Sequence, residues 1–362
     1  MKISHTINRF FKSIFIRILN VFSRARICKP LGLGTINPSK ILIVICDERM
    51  GELLLAVPLI RGIRSIFPNA VIHLLHAEKF TWLAGLIPGV EKTIPYNKRL
   101  LGKHPVEFAQ ILKDLRKNGF DLAIDAGKDD TASMTTALLM RVSGANIRLS
   151  HKRNSTVFFT HVVERGPEEF PEARRRLSLL RAFSDSTFSY SLEPLRELSP
   201  HLNPLPLGER KSKVGIYPGS RKPQHRIDPE VFVSVAKTLM DAGHNVTIIP
   251  GLGEESLCKI ISEGSGSDIA PALYGEQLCR LFKTFDVIIS NNTGPMHLSA
   301  ALDVPTLGLF NMADPVRWGH SYPPHKTLDF TNSEPDAKII SETALEMINP
   351  SPQPSPQRGE EG

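Results

Sequence analysis

The residues best suited to chemistry lie in the segment 291–297, between an apolar run at 287–291 and a helical pattern. Thr293 and Gly294 would place a hydroxyl and free backbone N–H groups at a helix N-terminus, which is a natural site for an oxyanion or a phosphate. His297 follows one helical turn later, on a face that can reach the same ligand. A lone histidine is more often structural, but its place beside this loop favours ligand binding.

A second candidate segment, the basic segment 218–226, also follows an apolar run and precedes a helical pattern. It offers a hydroxyl, backbone N–H groups and basic side chains, which suit a diphosphate. An ordinary basic surface loop would have the same composition, but the strand-loop-helix context favours phosphate binding. The candidate ligand-binding residues of this segment are Gly219, Ser220, Arg221, His225 and Arg226.

The third candidate is the acidic loop DERMGE at 47–52, which follows the first long apolar run of the body. Gly51 permits a tight turn, and a carboxylate here could act as a general base on a hydroxyl group. Glu52 is the candidate base. The alternative is that these are solvated loop charges and that Glu52 caps the following helix, because acidic residues favour helix N-termini.

The sequence lacks the signatures of several other enzyme classes. No G-x-G-x-x-G motif opens the first crossover, so a dinucleotide-dependent dehydrogenase lacks its main support, and no Walker A sequence is present. The four cysteines form no C-x-x-C pair and no zinc spacing, which is typical of free thiols in a reducing compartment. We expect neither a metal nor a cofactor.

Two α/β domains would position these segments. In the 362-residue chain, apolar runs such as 41–46 and 214–219 alternate with helical patterns, which predicts parallel sheets with crossover helices. The Pro-rich stretch 187–212 is typical of an interdomain linker. We therefore predict Rossmann-like domains at 36–195 and 196–348, whose sheets face a central cleft that binds the ligand.

The N-terminal arm, predicted at 1–35, accounts for the basic character of the chain. The net charge is +7, but the first 46 residues hold eight basic residues and no acidic ones. Residues 9–24 form an amphipathic pattern with a cationic face, which is typical of a helix on an anionic membrane surface and is too polar to span a bilayer. Packing on its own domain and a mitochondrial presequence are the alternatives.

The remaining charge pattern and the C-terminus are less specific. A nucleic-acid partner is not expected, because proteins that bind nucleic acids usually carry their positive charge on the folded domain. Residues 349–362 are rich in Pro, Gln and Ser, so we predict a disordered tail.

Three segments resemble signatures of the heptosyltransferases, the family-nine glycosyltransferases of bacterial lipopolysaccharide synthesis. They are ILIVICDERMGELLLAVPLIRGIRSIFPNAVIHLL, GIYPGSRKPQHRIDPEVF and NNTGPMHLSAALDVPTLGLFNMADPVRWG, which occur in the family's order. The resemblance implies a GT-B fold, with a lipid-linked saccharide acceptor on the N-terminal domain and an ADP-heptose-like donor on the C-terminal one. It also implies inverting, metal-independent transfer by a cytoplasmic enzyme, peripheral on the inner face of the cytoplasmic membrane.

The resemblance assigns roles to individual residues. His225 and Arg226 stand where the family has a basic pair near the donor phosphates. An acid after the glycine turn, Glu254 or Glu255, would reach the donor ribose, and we place Glu255 in the predicted site. The residues that correspond to the family's donor loop are Asn292, Thr293, Gly294, Pro295 and His297.

Two positions depart from the family pattern. Glu52 stands where the family usually has an Asp after Met-Gly, the proposed base for the acceptor hydroxyl. Asn292 replaces an Asp before Thr-Gly, which removes a charge beside the donor. Two other functions are alternatives to glycosyl transfer. One is a non-catalytic, envelope-associated protein that binds nucleotide sugars, and the other is another GT-B enzyme such as a nucleotide-sugar epimerase.

Overall fold

The computed structural model describes most of the body of the chain. The described residues are 26–27, 36–97, 105–127, 133–153, 158–192, 194–195 and 211–349. The amphipathic segment 9–24, most of the Pro-rich stretch and nearly all of the C-terminal tail lie outside them. No helix among the described residues is long and apolar enough to cross a membrane.

The described residues form two compact units, which divide between residues 196 and 197. Both are parallel sheets with helices, so the α/β prediction is confirmed. The first unit contains β1 (Arg26–Ile27), β2 (Lys40–Ile45), α1 (Met50–Leu54), α2 (Val57–Ile66), β3 (Val71–Ala77), α3 (Thr81–Ala84), β4 (Lys92–Tyr96), α4 (Pro105–Asn118), β5 (Leu122–Asp125), α5 (Met134–Val142), β6 (Ile147–His151), β7 (His161–Val163) and α6 (Glu172–Arg176). Its strand order is β1-β7-β6-β5-β2-β3-β4.

The central strand β2 forms because its run of β-branched and leucine residues is buried on both faces. Residues 41–45 are at most 1 % exposed, as expected for a strand between two parallel neighbours. Ile41 pairs with Ile72 of β3 on one side and with Leu122 of β5 on the other. The acidic loop therefore leaves the middle of the sheet at its carboxyl edge.

The helical pattern after the acidic loop is interrupted. It forms the short helix α1 and then α2, which has Pro58 in its first turn. Pro is accepted there because the first-turn N–H groups have no partner within the helix. The break leaves Glu52 on a separate turn of helix directly at the sheet edge.

The second unit repeats this architecture with a different strand order. It contains β8 (Lys213–Tyr217), α7 (Pro229–Asp241), β9 (Asn245–Ile248), α8 (Glu255–Ser265), β10 (Asp268–Ile269), α9 (Glu276–Phe282), β11 (Val287–Asn291), α10 (Gly294–Ala301), β12 (Thr306–Phe310), α11 (Pro315–Trp318), β13 (Lys326–Asp329) and α12 (Ala337–Ile348). The strands pair in parallel in the order β10-β9-β8-β11-β12-β13.

Local signals set the bounds of the helix that follows the basic segment. The Asp228 side chain accepts a hydrogen bond from the Glu230 N–H and so caps α7, with Pro229 at its first position. The helix ends before Gly243, whose φ of +91° favours glycine. The apolar face of α7 packs on the sheet through Phe232, Val235 and Leu239.

The sheet order brings both ligand-binding candidates of this unit together. Strands β8 and β11 are neighbours, and Ser290 pairs with Tyr217 at their carboxyl ends. The loops after parallel strands leave from one edge of a sheet, so the segments 218–226 and 291–297 lie side by side.

Candidate active site

Glu52 lies in α1 at the carboxyl edge of the first sheet and is only 3 % exposed. Its carboxylate forms an ion pair with the buried guanidinium of Arg176, which also donates a hydrogen bond of 2.6 Å to the Glu52 backbone oxygen. Arg49 forms a second ion pair with the other carboxylate oxygen, at 3.0 Å. Arg176 of helix α6 lies 124 positions further along the chain and fixes the position of the Glu52 side chain.

Burial raises the pKa of Glu52 above its usual value, although Arg176 and Arg49 both act to lower it. A carboxylate with a raised pKa is a stronger base than one in water, because its charged form has lost solvation. A general base needs a pKa near the operating pH and a fixed position within reach of the proton that it removes. The structure thus gives Glu52 an environment compatible with the role predicted for it.

In the second unit, a buried asparagine ties the two candidate loops together. Asn291, the last residue of β11, donates a hydrogen bond of 2.6 Å from its side chain to the Pro218 carbonyl oxygen. Its Oδ1 atom is buried and has no hydrogen-bond partner among the described residues. This hydrogen bond fixes the start of the loop 291–297 against the start of the loop 218–226.

The N-terminus of α10 is open to a ligand. Thr293 is its N-cap residue in an extended conformation, and its side chain makes no capping hydrogen bond. Asn292, Thr293 and Gly294 are half-buried, whereas Pro295 and His297 are buried. The first-turn N–H groups of a helix attract anions, so this edge can hold an oxyanion or a phosphate.

Arg226 organises the other loop. It donates hydrogen bonds to the Ser220 carbonyl oxygen at 2.9 Å and to the Glu254 carboxylate at 2.8 Å. Glu254 fits because Gly219 and Gly251 flank it, and a β-carbon on either glycine would overlap its carboxylate. The basic segment is therefore built around an inward-facing acid that follows β9.

The remaining predicted residues of this unit are distributed unevenly. Arg221 is exposed, and His225 is half-buried in a short 3₁₀ turn. Burial and then Lys222 lower the pKa of His225. Glu255 is exposed in the first turn of α8, where it accepts a hydrogen bond of 3.3 Å from the Gly253 N–H. The structure thus brings Glu254, and not Glu255, to Arg226.

His297 belongs to a cluster of four rings, in which three histidines are buried and Tyr322 is half-buried. Its Nδ1 atom lies 2.8 Å from Nε2 of His320, and Nδ1 of His320 lies 3.3 Å from the Tyr322 hydroxyl. His325 packs edge-on against His320 and Tyr322. A β-carbon on Gly319, the residue before His320, would overlap the Pro315 carbonyl oxygen.

Several buried histidines should make the fold sensitive to acid. Burial lowers the pKa of His151 and of His320 well below the usual value, and lowers that of His325 to about 4. Below about pH 6.5 the unfolded chain binds protons at these positions and the folded chain does not, so stability falls as the pH falls. Each such group should contribute up to about 1.4 kcal/mol per pH unit.

Urea unfolding at pH 7.5, 6.5 and 5.5 measures this dependence. The midpoint should drop between pH 6.5 and 5.5, and His325→Phe should flatten the dependence of the second unit. A midpoint that stays constant over that interval would show that these histidines are protonated in the folded state.

Sequence reasoning missed two residues that shape the site, Arg176 and His320, and it named Glu254 and Asn291 without placing them among the site residues. Asn291 and Glu254 directly adjoin predicted residues, so their neighbourhood was a usable signal. Arg176 and His320 lie in segments with no motif, and only the tertiary fold brings them to Glu52 and His297.

Comparison with known proteins gives a consistent result. The family model described as glycosyltransferase family 9 (heptosyltransferase) matches residues 108–345. The chain is 24 % identical to the lipopolysaccharide heptosyltransferase 3 of Escherichia coli over 288 residues, which is 74 % of this chain and 82 % of that protein.

Solved structures support the fold. A family 9 glycosyl transferase from Veillonella parvula superposes with a TM-score of 0.74 at 16 % identity and covers 90 % of this chain and 99 % of its own. The E. coli heptosyltransferase WaaC with ADP gives a TM-score of 0.70 at 18 % identity, covering 85 % and 99 %. The predicted GT-B fold is thereby confirmed.

Proposed function

Since the chain belongs to glycosyltransferase family 9 and is a glycosyltransferase, we propose that it transfers a heptose from an ADP-heptose donor to the core of a lipopolysaccharide or a similar lipid-linked saccharide. The observation that carries the proposal is the buried Glu52, whose carboxylate has a raised pKa and a fixed position at a sheet edge. Relatives with lipopolysaccharide heptosyltransferase activity in their names, and one solved with ADP, support the choice of substrates.

The second unit holds the donor in this proposal. The diphosphate lies against the N-terminus of α10 and the basic segment, where Gly219, Ser220, Arg221, His225 and Arg226 can surround it. Asn292, Thr293, Gly294, Pro295 and His297 form the other side. The cations and N–H donors of these groups stabilise the diphosphate charge that a bound metal would otherwise stabilise, so transfer is metal-independent.

The reaction proceeds with inversion. Glu52 takes the proton of an acceptor hydroxyl, and the hydroxyl oxygen forms a bond to the anomeric carbon of the sugar. The bond from that carbon to the diphosphate oxygen breaks on the opposite face, and ADP leaves with the electron pair. N–H groups and cations stabilise the charge that develops on the leaving oxygen.

Glu254 adds a ribose contact to this proposal. Its carboxylate is held at 2.8 Å by Arg226 and accepts a hydrogen bond from the Tyr217 hydroxyl. A carboxylate with a fixed position suits the two hydroxyls of a ribose. Glu255 remains the alternative ribose contact from the sequence.

A panel of nucleotides tests the donor. ADP, GDP and UDP, with their sugars, are added to the purified protein while thermal unfolding is recorded. A ligand at about 100 times its dissociation constant should add about 2.7 kcal/mol of stability. We expect stabilisation by ADP and ADP-heptose, and stabilisation by UDP or GDP alone would exclude the ADP donor.

Gly219→Ala should weaken ADP binding about tenfold. The added methyl group would displace the Glu254 carboxylate, and with it the hydrogen bond to Arg226, which is worth about 1.5 kcal/mol as a bond between charged groups. Isothermal titration with ADP measures the change.

Gly85→Ala is the control for Gly219→Ala, because its methyl group would make only ordinary contacts, at 3.8 Å or more, in the first unit. Equal ADP affinity in wild type and Gly219→Ala would remove the Glu254–Arg226 pair from the donor site.

The acceptor suggests where the enzyme works. A lipid-linked saccharide stays in the membrane, so the predicted basic arm at 1–35 would hold the enzyme on the anionic inner face of the cytoplasmic membrane. The amphipathic part of this arm lies outside the described residues, and the proposal rests on its sequence.

A further inference from the structure

The ring cluster beside α10 contains a chain of hydrogen bonds in which His320 can donate in either of two directions. His320 has two partners, His297 at its Nε2 atom and Tyr322 at its Nδ1 atom. Burial keeps His320 neutral, since its pKa is lowered well below the usual value, and a neutral imidazole carries one N–H group. The N–H group of His320 is therefore either at Nε2, facing His297, or at Nδ1, facing Tyr322.

The two arrangements differ in what they offer a ligand. If His320 donates from Nε2, then Nδ1 of His297 accepts and a neutral His297 carries its proton on Nε2. If His297 donates from Nδ1 instead, its Nε2 atom holds a lone pair. An anionic diphosphate repels a lone pair and attracts an N–H group, so an anion favours the first arrangement.

We propose that His320 is a positioning residue that holds His297 as the Nε2–H tautomer, so that His297 donates a hydrogen bond to the donor diphosphate as it departs. The role of His297 rests on the proposed function. The hydrogen bonds then run in one direction, from the Tyr322 hydroxyl to His320, from His320 to His297, and from His297 to the ligand. Bonds aligned in this way strengthen one another.

Packing adds to the hydrogen bonds. The rings of His297 and His320 meet edge-on with centroids 5.0 Å apart, and both side chains are about 5 % exposed. His325 fills the other side of His320, and no hydrogen bond joins it to His320 or to His297 among the described residues. The contact from His320 to His297 is therefore separable from the packing of the cluster.

The tautomer of His297 is measured directly by ¹⁵N NMR on protein labelled at its 12 histidines, with the signals of His297 assigned by their loss in His297→Gln. At pH 7.5 without a ligand, wild type should show the Nε2–H tautomer. His320→Phe keeps a ring in place but removes the hydrogen bond, and should give a mixture of tautomers. His320→Gln, whose amide can donate from a similar position, should restore the wild-type pattern.

The control is His325→Phe, which changes the packing on the same ring and should leave the tautomer of His297 unchanged. An Nδ1–H tautomer in wild type, or identical His297 shifts in wild type and His320→Phe, would overturn the proposal. A change in His325→Phe as large as in His320→Phe would also overturn it, because packing alone would then set the tautomer.

Kinetics separate this inference from the proposed function. His320→Phe should lower kcat for sugar transfer about tenfold with little change in the donor KM, and His320→Gln should recover most of the rate. If the tautomer changes as expected but neither ADP binding nor turnover is detected in wild type, His320 still positions His297 and the donor role of the site is wrong.

Discussion

Glu52→Gln is expected to lower kcat for sugar transfer about 100-fold or more. The glutamine keeps the size of the side chain but cannot accept the proton of an acceptor hydroxyl, and loss of a general base usually has an effect of this size. ADP binding should stay unchanged, because the groups proposed to hold the donor lie in the other unit. Initial rates of ADP release with a saturating acceptor measure the effect.

Two further variants make the Glu52 experiment specific. Glu52→Asp restores the acid that the family usually carries and should keep more activity than Glu52→Gln. Glu164→Gln neutralises an exposed carboxylate of the same unit, which pairs with Lys152, and should leave the rate unchanged. Turnover of Glu52→Gln within a fewfold of wild type would remove Glu52 from the role of base.

Arg176→Met is expected to destabilise the first unit by about 3–5 kcal/mol. Arg176 is 1 % exposed and pairs with both Glu52 and Glu172, at 3.4 Å for the latter. Its removal leaves two buried carboxylates without this cation, and breaking a buried pair in this way is strongly destabilising. Urea unfolding followed by circular dichroism measures the loss.

The neighbouring Arg174 provides the matched control. It is exposed and lies over the Phe170 ring at 3.7 Å, so Arg174→Met should cost about 1 kcal/mol or less. The double variant Glu52→Gln with Arg176→Met should lose less stability than the sum of the single variants, since the neutral amide no longer needs the cation. Strict additivity would mean that the two side chains do not interact in solution.

The strands were the most predictable part of the fold. The apolar run at 287–291 matches β11 residue for residue, because a continuous apolar segment buried on both faces leaves little choice of where the strand begins and ends. The start of helix α7 is predictable, since Asp228 as a cap and Pro229 at the first position form a local signal. The break between α1 and α2 has a weaker signal, because Pro58 fits the start of a helix as well as a kink within one.

The candidate site was predictable where it is local in sequence. The loops at 218–226 and 291–297 both leave the carboxyl edge of neighbouring strands, as strand-loop-helix patterns predict. It is harder to predict which of two neighbouring acids at a helix start faces the site, because a shift of one residue turns a helical side chain by about 100°. That shift separates the inward Glu254 from the exposed Glu255.

Contacts over long sequence separations could not be predicted from one sequence. The pairing of Arg176 with Glu52 depends on where α6 packs after the last strand of the first unit, and the bond from His320 to His297 depends on the chain after α11. Both partners lie in segments without motifs. The contact with Arg176 nevertheless fixes the position of Glu52, and His320 is the hydrogen-bond partner of the His297 side chain.

The central claim is that this chain joins a donor sugar to a lipid-linked saccharide. The most direct test incubates the purified enzyme with ADP-heptose and a heptose-deficient lipopolysaccharide core, and follows both products by mass spectrometry. We predict one ADP released for each acceptor that gains the mass of one heptose, without added metal. Binding of ADP-heptose without any heptosylated acceptor, or release of ADP with free heptose as the sole sugar product, would contradict it.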